Sequence, residues 1–384
     1  MAKILYIHHS GLLGGAPRSL SFLLKKINPT RHQVRLICIS DGPAVNLLRE
    51  STPNVVVEKK MYPFHGSTVV PKGSIYISLV NVFLSPLTFV VSRKHIKAES
   101  PQIVHLNSSC LCFCALAAKS VNPTIKVVCH IREPLRKSFF GWLIKKICQC
   151  YVDHFVAIDS FSGSSMAVPK ARMDIIYNSV DMNVYHPGHK SNVLRKELNL
   201  NDSIKIFLYL ARIAPGNGTL ALVNMAKKVR KADESIHFVI VGLSSANQDE
   251  YASHVIAAAE IDSGIHILHF RDDIPDVIAS SDVLVVPFTE PHFARSIVEA
   301  SALGIPSIGA NVGGVNELIK HGITGYLYNN EEEFLNQCLE LANNEAKRVS
   351  MGKDAAFFSR ECFDNDRNAE RVFQIYERII NEMS

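Results

Sequence analysis

A chain of 384 residues is too long for one ordinary hydrophobic core, so about two domains are expected. Its 47% hydrophobic and 20% charged residues suit a globular protein and exclude a disordered or collagen-like chain. The net charge of +5 is uneven: residues 1–170 carry 21 Lys and Arg against 7 Asp and Glu, whereas residues 171–384 carry 20 against 29. A basic first half points to an anionic partner. Nucleic acid is not favoured, because no helix-turn-helix, zinc-finger or aromatic RNA-binding pattern occurs.

The opening MAKILYIHH reads as a strand and not as a signal peptide, since its apolar run is short and lacks a cleavage-type ending. In the following SGLLGGAPRSLSFLL, Gly11, Gly14 and Gly15 precede a helix opening near Pro17, a residue suited to a helix's first turn. The free backbone N–H groups of such a loop, with Arg18 nearby, can hold an anion; alternatively the glycines serve only the torsions of a turn. The loop is not GxGxxG and no acidic residue ends the next strand, which argues against a nicotinamide dinucleotide site. QVRLICIS and NVVVEKK continue the strand series. The longest apolar run, Ile75–Val91, is just shorter than a spanning helix and carries Ser78, Asn81, Ser85 and Pro86. It is expected to be a helix buried in a domain, with a membrane span as the alternative.

IVHLNSS is the next strand, followed by SSCLCFCALAA. Cys110, Cys112 and Cys114, two apart on a helix, diverge around its axis and cannot meet at one ion. The nine scattered cysteines read as small core residues in a reducing, intracellular compartment. IKVVCHI ends near His130 and Arg132, with Glu133 and Pro134 behind them. A histidine and an arginine at a strand's carboxyl end are candidates for chemistry, against the plainer reading of a structural histidine. The next stretch interleaves Arg136, Lys137, Lys145 and Lys146 with Phe139, Phe140, Trp142, Leu143 and Ile147. Such a composition suits an amphipathic helix at an anionic membrane surface, or a helix packed on its own sheet with its lysines in water. HFVAIDS precedes IIYNSVDMNVYHPGHK, where strand pattern gives way to Asn, Asp, His, Pro and Gly and a domain junction is expected.

KIFLYLARI, HFVIVG, IHILHF, DVLVVPF and PSIGAN are the strands of the second half, again with helical patterns between them. Almost continuously apolar strands belong to parallel sheets covered on both faces. The fold class is therefore α/β: two doubly wound Rossmann-like domains, 1–178 and 179–364, facing a cleft, with residues 365–384 as a last helix placed to pack back across both. Ligands of such sheets bind beyond the carboxyl ends of the strands. There, Arg212 ends a strand and PGNG leads into a helix, a fixed cation beside free amides that suits a diphosphate. Glu290 and Glu299 bracket PHFARSIV, between DVLVVPF and a helix ending at Gly304. For a nucleotide sugar, Glu299 suits the ribose hydroxyl pair, the helix's first amides at Arg295, Ser296 and Ile297 suit the phosphates, and Glu290 suits the sugar. Gly313 and Gly314 fall between the last strand and a helix containing Glu317.

These residues carry a likeness. IIYNSVD, LARIAPGNG, FRDDIPDVIASSDVLVVP and EPHFARSIVEASALGIPSIGANVGGVNELIKHGITGYL, with GGAPRSL and the pair VHLNSS and CHIREP, resemble the retaining group 1 glycosyltransferases of family 4, of GT-B fold, over nearly the whole chain. The resemblance implies a hexosyltransferase moving sugar from a nucleotide diphosphate to a glycan or lipid-linked acceptor, in cell-surface polysaccharide or lipopolysaccharide assembly. It implies no cofactor and no metal. Arg212 would hold the donor diphosphate with Gly313, Gly314 and the helix amides, Glu299 the ribose, and Glu290 the transferred sugar. His130, as a catalytic residue, would lie near that sugar, and Gly14, Gly15, Arg18 and Arg132 at phosphate or acceptor. The protein is expected in the cytoplasm, peripheral on the inner face of the membrane. There are two departures. Eight residues, not seven, separate the glutamates, His292 being the extra one, and the family's lysine in the arginine motif is Asn217; either another cation such as Arg295 or Arg18 substitutes, or transfer is slow, or the donor is unusual. A non-catalytic GT-B protein that binds nucleotide or glycan and supports an active partner is the alternative.

Overall fold

The computed structural model describes residues 2–68, 75–244 and 249–382. The chain divides into two compact units, residues 1–178 with 365–384, and residues 179–364.

The first unit is built on a seven-stranded parallel sheet of order β3-β2-β1-β4-β5-β6-β7. Its strands are β1 Ala2–His8, β2 His32–Cys38, β3 Val55–Val57, β4 Ile103–Leu106, β5 Lys126–Ile131, β6 His154–Ala157 and β7 Met173–Ile175. Alternation along β1 gives the sheet two apolar faces. Leu5 and Ile7 pack with Cys112, Cys114, Ala115, Ala118 and Cys148, small side chains that let the helix Cys112–Val121 lie close to the sheet. Ile4 and Tyr6 pack with Leu20 and Leu24 and with Val372, Phe373 and Tyr376 of the last helix, Asn365–Asn381. That helix is thus part of the first unit's core. Tyr376 Oη lies 3.0 Å from Tyr6 Oη and 2.6 Å from His105 Nδ1, so its buried hydroxyl is satisfied.

The apolar run Ile75–Val91 is not one helix buried in the domain. It forms a short helix Ile75–Leu79, a π-helical turn Val80–Leu84 and a helix Leu87–Glu99, the two halves bent by 48°. No single described helix is long and apolar enough to cross a membrane. The bend follows Pro86, which lacks the N–H a continuous helix needs. The face turned toward the domain buries Val80 and Ile96 but also a row of polar side chains. Asn81 accepts from His65 N and donates to His65 O, both at 2.7 Å, and Ser85 Oγ donates to Pro63 O at 2.9 Å. Thr88 Oγ1 meets the N–H and C=O of Tyr62 at 2.7 and 2.9 Å. The segment Met61–Ser67 lacks regular backbone pairing, and these side chains complete its hydrogen bonding.

The second unit has a six-stranded parallel sheet of order β10-β9-β8-β11-β12-β13. Its strands are β8 Lys205–Leu210, β9 Ile236–Leu243, β10 Ile265–His269, β11 Val283–Val286, β12 Ser307–Ala310 and β13 Gly325–Tyr328. Phe207, Tyr209, Phe238 and Ile240 pack with Leu222, Val223, Phe334 and Leu341 from the surrounding helices. One expected helix is absent: after Gly313 and Gly314 the chain makes successive turns through Glu317 to Leu318. Gly314, at φ +85°, leaves the right-handed helical region, and the following N–H groups close only local turns back to Val312 and Val315.

Candidate active site

Each unit gathers its chemical groups at the carboxyl ends of its strands. In the first unit these are β1, β4 and β5. Arg132, just beyond β5, is buried; its guanidinium donates to Asn107 Oδ1 from Nε at 3.1 Å and from Nη2 at 2.6 Å, and to Asn178 Oδ1 from Nη1 at 3.3 Å. Arginine can only donate, so these bonds fix which end of the Asn107 amide faces it. The amide nitrogen then donates to His8 Nδ1 at 2.8 Å, and Arg132 Nη2 lies 3.5 Å from His130 Nδ1. Both Nδ1 atoms therefore accept, and both rings carry their proton on Nε2. Neither Nε2 has a hydrogen-bond partner among the described residues. Burial, and the positive charge of Arg132, hold His8 and His130 well below the usual histidine range, and His9 and His105 down to about 4 and about 3. The cluster presents neutral N–H donors, fixed in tautomer by one arginine.

The glycine loop next to it is open. A side chain built at Gly14 or Gly15 would meet nothing, so neither is required by close packing. The helix Gly15–Lys25 begins there with no side-chain cap, and Arg18 is exposed.

In the second unit, β8 leads through Arg212 into a 3-10 turn Pro215–Asn217 and the helix Thr219–Ala232. Three bonds hold this loop closed. Tyr209 Oη and Asn217 Nδ2 both donate to Arg212 O at 2.8 Å, and Thr289 N donates to Gly216 O at 3.0 Å. Asn217 thus fastens the loop's backbone and brings no cation. The Arg212 side chain is exposed and makes no hydrogen bond or ion pair with a described residue. Gly218 sits at φ +69°, and a Cβ on it would lie 1.9 Å from Pro287 O. Gly218→Ala should therefore cost about 3 kcal/mol or more, left-handed strain plus a backbone displacement, read as a lower melting temperature of the second unit's unfolding.

Glu290 is exposed and comes against Gly216, where an added Cβ would lie 2.9 Å from its Oε2. The extra residue is absorbed locally: the His292 ring stacks on Phe288 at 4.0 Å between centroids, and its Nδ1 donates to Glu290 O at 2.9 Å. Burial pushes the His292 imidazole below its ordinary range. Gly314 touches the backbone of His292, where a side chain would lie 2.6 Å from its carbonyl, so the glycine turn and the inserted residue meet. Arg295, Ser296 and Ile297 open the helix Arg295–Ala302. The Ile297 amide bonds back to Ala294 O at 3.1 Å, which leaves Ser296 as a free amide donor of that end.

Arg295 does not lie free to replace the missing lysine. Its Nε donates to Glu299 Oε1 at 3.1 Å and its Nη2 to Ser179 O at 3.1 Å, and Glu299 is buried at 6% exposure. Among the sequence candidates, the structure brings together Arg212, Asn217 and Glu290 around one loop, Arg295 and Glu299 on one helix, and His130 with Arg132 in the other unit. The sequence reading overlooked His8 and Asn107 as parts of that cluster; a histidine and an asparagine at neighbouring strand ends were the available signal. No group of His, Cys, Asp or Glu suited to a metal occurs among the described residues.

Comparison with known proteins places the chain among carbohydrate enzymes. Residues 190–356 match the family model for glycosyl transferases group 1, and residues 13–184 match that for glycosyltransferase family 4. The chain is 23% identical over 403 aligned positions to the UDP-Gal:alpha-D-GlcNAc-diphosphoundecaprenol alpha-1,3-galactosyltransferase of Escherichia coli, covering 99% of this chain and 98% of the relative. It is 27% identical over 254 residues to spore coat protein SA of Bacillus subtilis, covering 61% of this chain and 67% of that one. The crystal structure of Anabaena HepE in complex with UDP-glucose superposes with a TM-score of 0.80 at 20% identity, over 98% of this chain and 100% of that one.

Proposed function

We propose a reaction from one premise: the chain belongs to the group 1 glycosyltransferases, of the family 4 type and GT-B fold. It transfers a hexose-type sugar from a nucleotide diphosphate, with retention at the anomeric carbon, to a lipid-linked or otherwise membrane-held acceptor of surface-polysaccharide assembly. The carrying observation is the second unit's arrangement: a free Arg212 on a glycine-bounded loop, Glu290 against that loop, and a buried Glu299 on the helix whose first turn carries the Ser296 amide. Arg212 and that amide stabilise the leaving diphosphate, the role that preorganised donors fill where charge develops. Glu299 accepts from the ribose hydroxyls, and Glu290 accepts from a hydroxyl of the sugar. The neutral His130, with its proton on Nε2, donates to the sugar. The acceptor oxygen bonds to the anomeric carbon as the bond to the diphosphate breaks, and the acceptor proton passes to the diphosphate oxygen on the same face. The reaction needs no metal or cofactor. Bound UDP-glucose in HepE and the galactosyl donor in the E. coli relative's name favour a UDP-hexose as the first donor to try.

Calorimetric titration with a panel of nucleotide sugars tests this. One donor should bind, and Asn217→Lys should tighten it by about 10-fold or more, the value of a restored charge-assisted contact. Asn217 favours a second reading, a non-catalytic GT-B protein that supports an active partner. That reading replaces the first if folded protein binds no nucleotide sugar and Asn217→Lys restores none.

A further inference from the structure

The segment Tyr76–Glu99 of the first unit is amphipathic in the wrong sense for a soluble helix. Its buried stripe carries the polar Asn81, Ser85, Thr88 and Ser92 along with Val80 and Ile96, whereas its outward stripe is the wholly apolar or aromatic Tyr76, Leu79, Phe83, Leu87 and Val90, spaced three or four apart. Tyr76 is 74% exposed, Phe83 66% and Val90 63%. A segment whose inner face is hydrogen-bonded along its length to Tyr62, Pro63 and His65 is held against the domain and cannot thread through a bilayer. Among the described residues nothing covers the outward stripe, which stays exposed.

The helix Phe139–Tyr151 is held by the same part of the first unit. It packs on the same strip of backbone that Asn81, Ser85 and Thr88 fasten: Phe140 meets Phe64 with ring centroids 5.6 Å apart, and Gly66 lies against Gly141 and Ile144. Phe139 and Trp142 stack with centroids 6.0 Å apart, and both are more than half exposed. The charges in the two segments, residues 76–99 and 135–151, are almost all of one sign: Arg93, Lys94, Lys97, Arg136, Lys137, Lys145 and Lys146 against Glu99 alone, which is paired with Arg35 at 3.3 Å. Of the cations, the three on the first segment and all three lysines of the second form no ion pair with a described residue. Lys94 continues the apolar stripe one turn beyond Val90, where its stem can lie on hydrocarbon and its ammonium reach headgroups.

We infer that the bent helical pair and the Phe139–Tyr151 helix together form a membrane seat, which lies in the headgroup region of an anionic leaflet with its apolar residues immersed and does not span it. An apolar row of this length flanked by unpaired cations of one sign is complementary to anionic lipid in both respects. The seat deepens the proposed membrane-held acceptor, since it would set the first unit's strand ends beside that acceptor's surface; it stands on its own observations and needs no donor to be tested.

The full chain provides its own probe, because Trp142 is its single tryptophan. Vesicles of phosphatidylcholine with phosphatidylglycerol should shift its emission to the blue and sediment the protein, pure phosphatidylcholine far less, and lipids brominated along the chain should quench it. Leu79→Glu with Phe83→Glu, both on the exposed stripe, should reduce vesicle binding at least 10-fold while calorimetric binding of the nucleotide sugar stays unchanged. Lys145→Glu with Lys146→Glu should abolish the preference for anionic lipid. Wild-type protein that ignores anionic vesicles overturns the seat, as does binding that survives the two glutamates. So does a dimer that those glutamates dissociate, since the stripe would then face a second copy. Failure to bind any nucleotide sugar, with vesicle binding intact, removes the transferase and leaves the seat.

Discussion

Lowering the pH from 7 to about 5 should unfold the first unit, through its histidines and not its carboxylates. His8, His9, His105 and His130 are all held below the ordinary value of about 6.5 by burial first, and then by one another or by Arg132. The folded state refuses protons that the unfolded chain accepts. Their stability contribution is therefore fully present above about pH 6.5 and is lost as the pH falls toward the folded values, about 4 for His9 and about 3 for His105. Each refused proton costs about 1.4 kcal/mol per pH unit, so four approach about 5 kcal/mol per unit once the unfolded chain is fully protonated. At pH 5, about 1.5 units below the unfolded value, the four together cost about 8 kcal/mol, as much as the net stability of a typical domain, about 5–15 kcal/mol. Circular dichroism against pH should show a steep transition with several protons taken up on unfolding, well above the carboxylate range. A first unit that stays folded to pH 4 would mean that the four rings do not titrate as one buried group. His105→Gln, which keeps a hydrogen-bonding group near Tyr376, should move the midpoint down.

The legible parts of this protein were those written in period and order. Nearly continuous apolar strands alternating with helices gave two parallel sheets, because a strand covered on both faces has no polar side to hide. The two strands missed were short and broken by other demands. In β7, Asp174 interrupts the apolar run, yet it is satisfied by His154 Nε2 at 2.8 Å and Arg378 Nη2 at 2.9 Å, the latter more than two hundred residues later in the sequence. In β13, GYLY follows a glycine turn and is four residues long, too short for a pattern to declare itself. Composition marked Ile75–Val91 as apolar but could not give the side it faces, since Asn81, Ser85 and Thr88 look like interruptions until Tyr62, Pro63 and His65 are seen to need them. At the candidate site, Arg212, Glu290 and Glu299 were legible from their places between strand and helix. The partner of Arg295 was not, because an arginine four residues before a glutamate reads equally as a free cation or as half of an ion pair.

That ion pair carries the second large effect. Arg295→Met should destabilise the second unit by about 3–5 kcal/mol, because it leaves the buried Glu299 carboxylate without its cation. For a unit of this size the melting temperature should fall by about 2–4 °C for each kcal/mol. Glu299→Gln keeps the shape of the side chain and should cost less in stability, yet it should weaken nucleotide-sugar binding by about 10- to 150-fold, because the acceptor for the ribose hydroxyls loses its charge. The pair Arg295→Met with Glu299→Leu separates the two roles. Replacing a buried ion pair by packed apolar side chains is often neutral or stabilising, so the double variant should melt close to the wild type while binding no donor. If instead it binds as the wild type does, the carboxylate serves the helix alone, and the ribose must find its acceptor elsewhere at the carboxyl ends of β8 to β12. If it neither folds nor binds, Glu299 holds more of the second unit together than its bond to Arg295 accounts for, and Glu299→Gln alone then decides its part in binding.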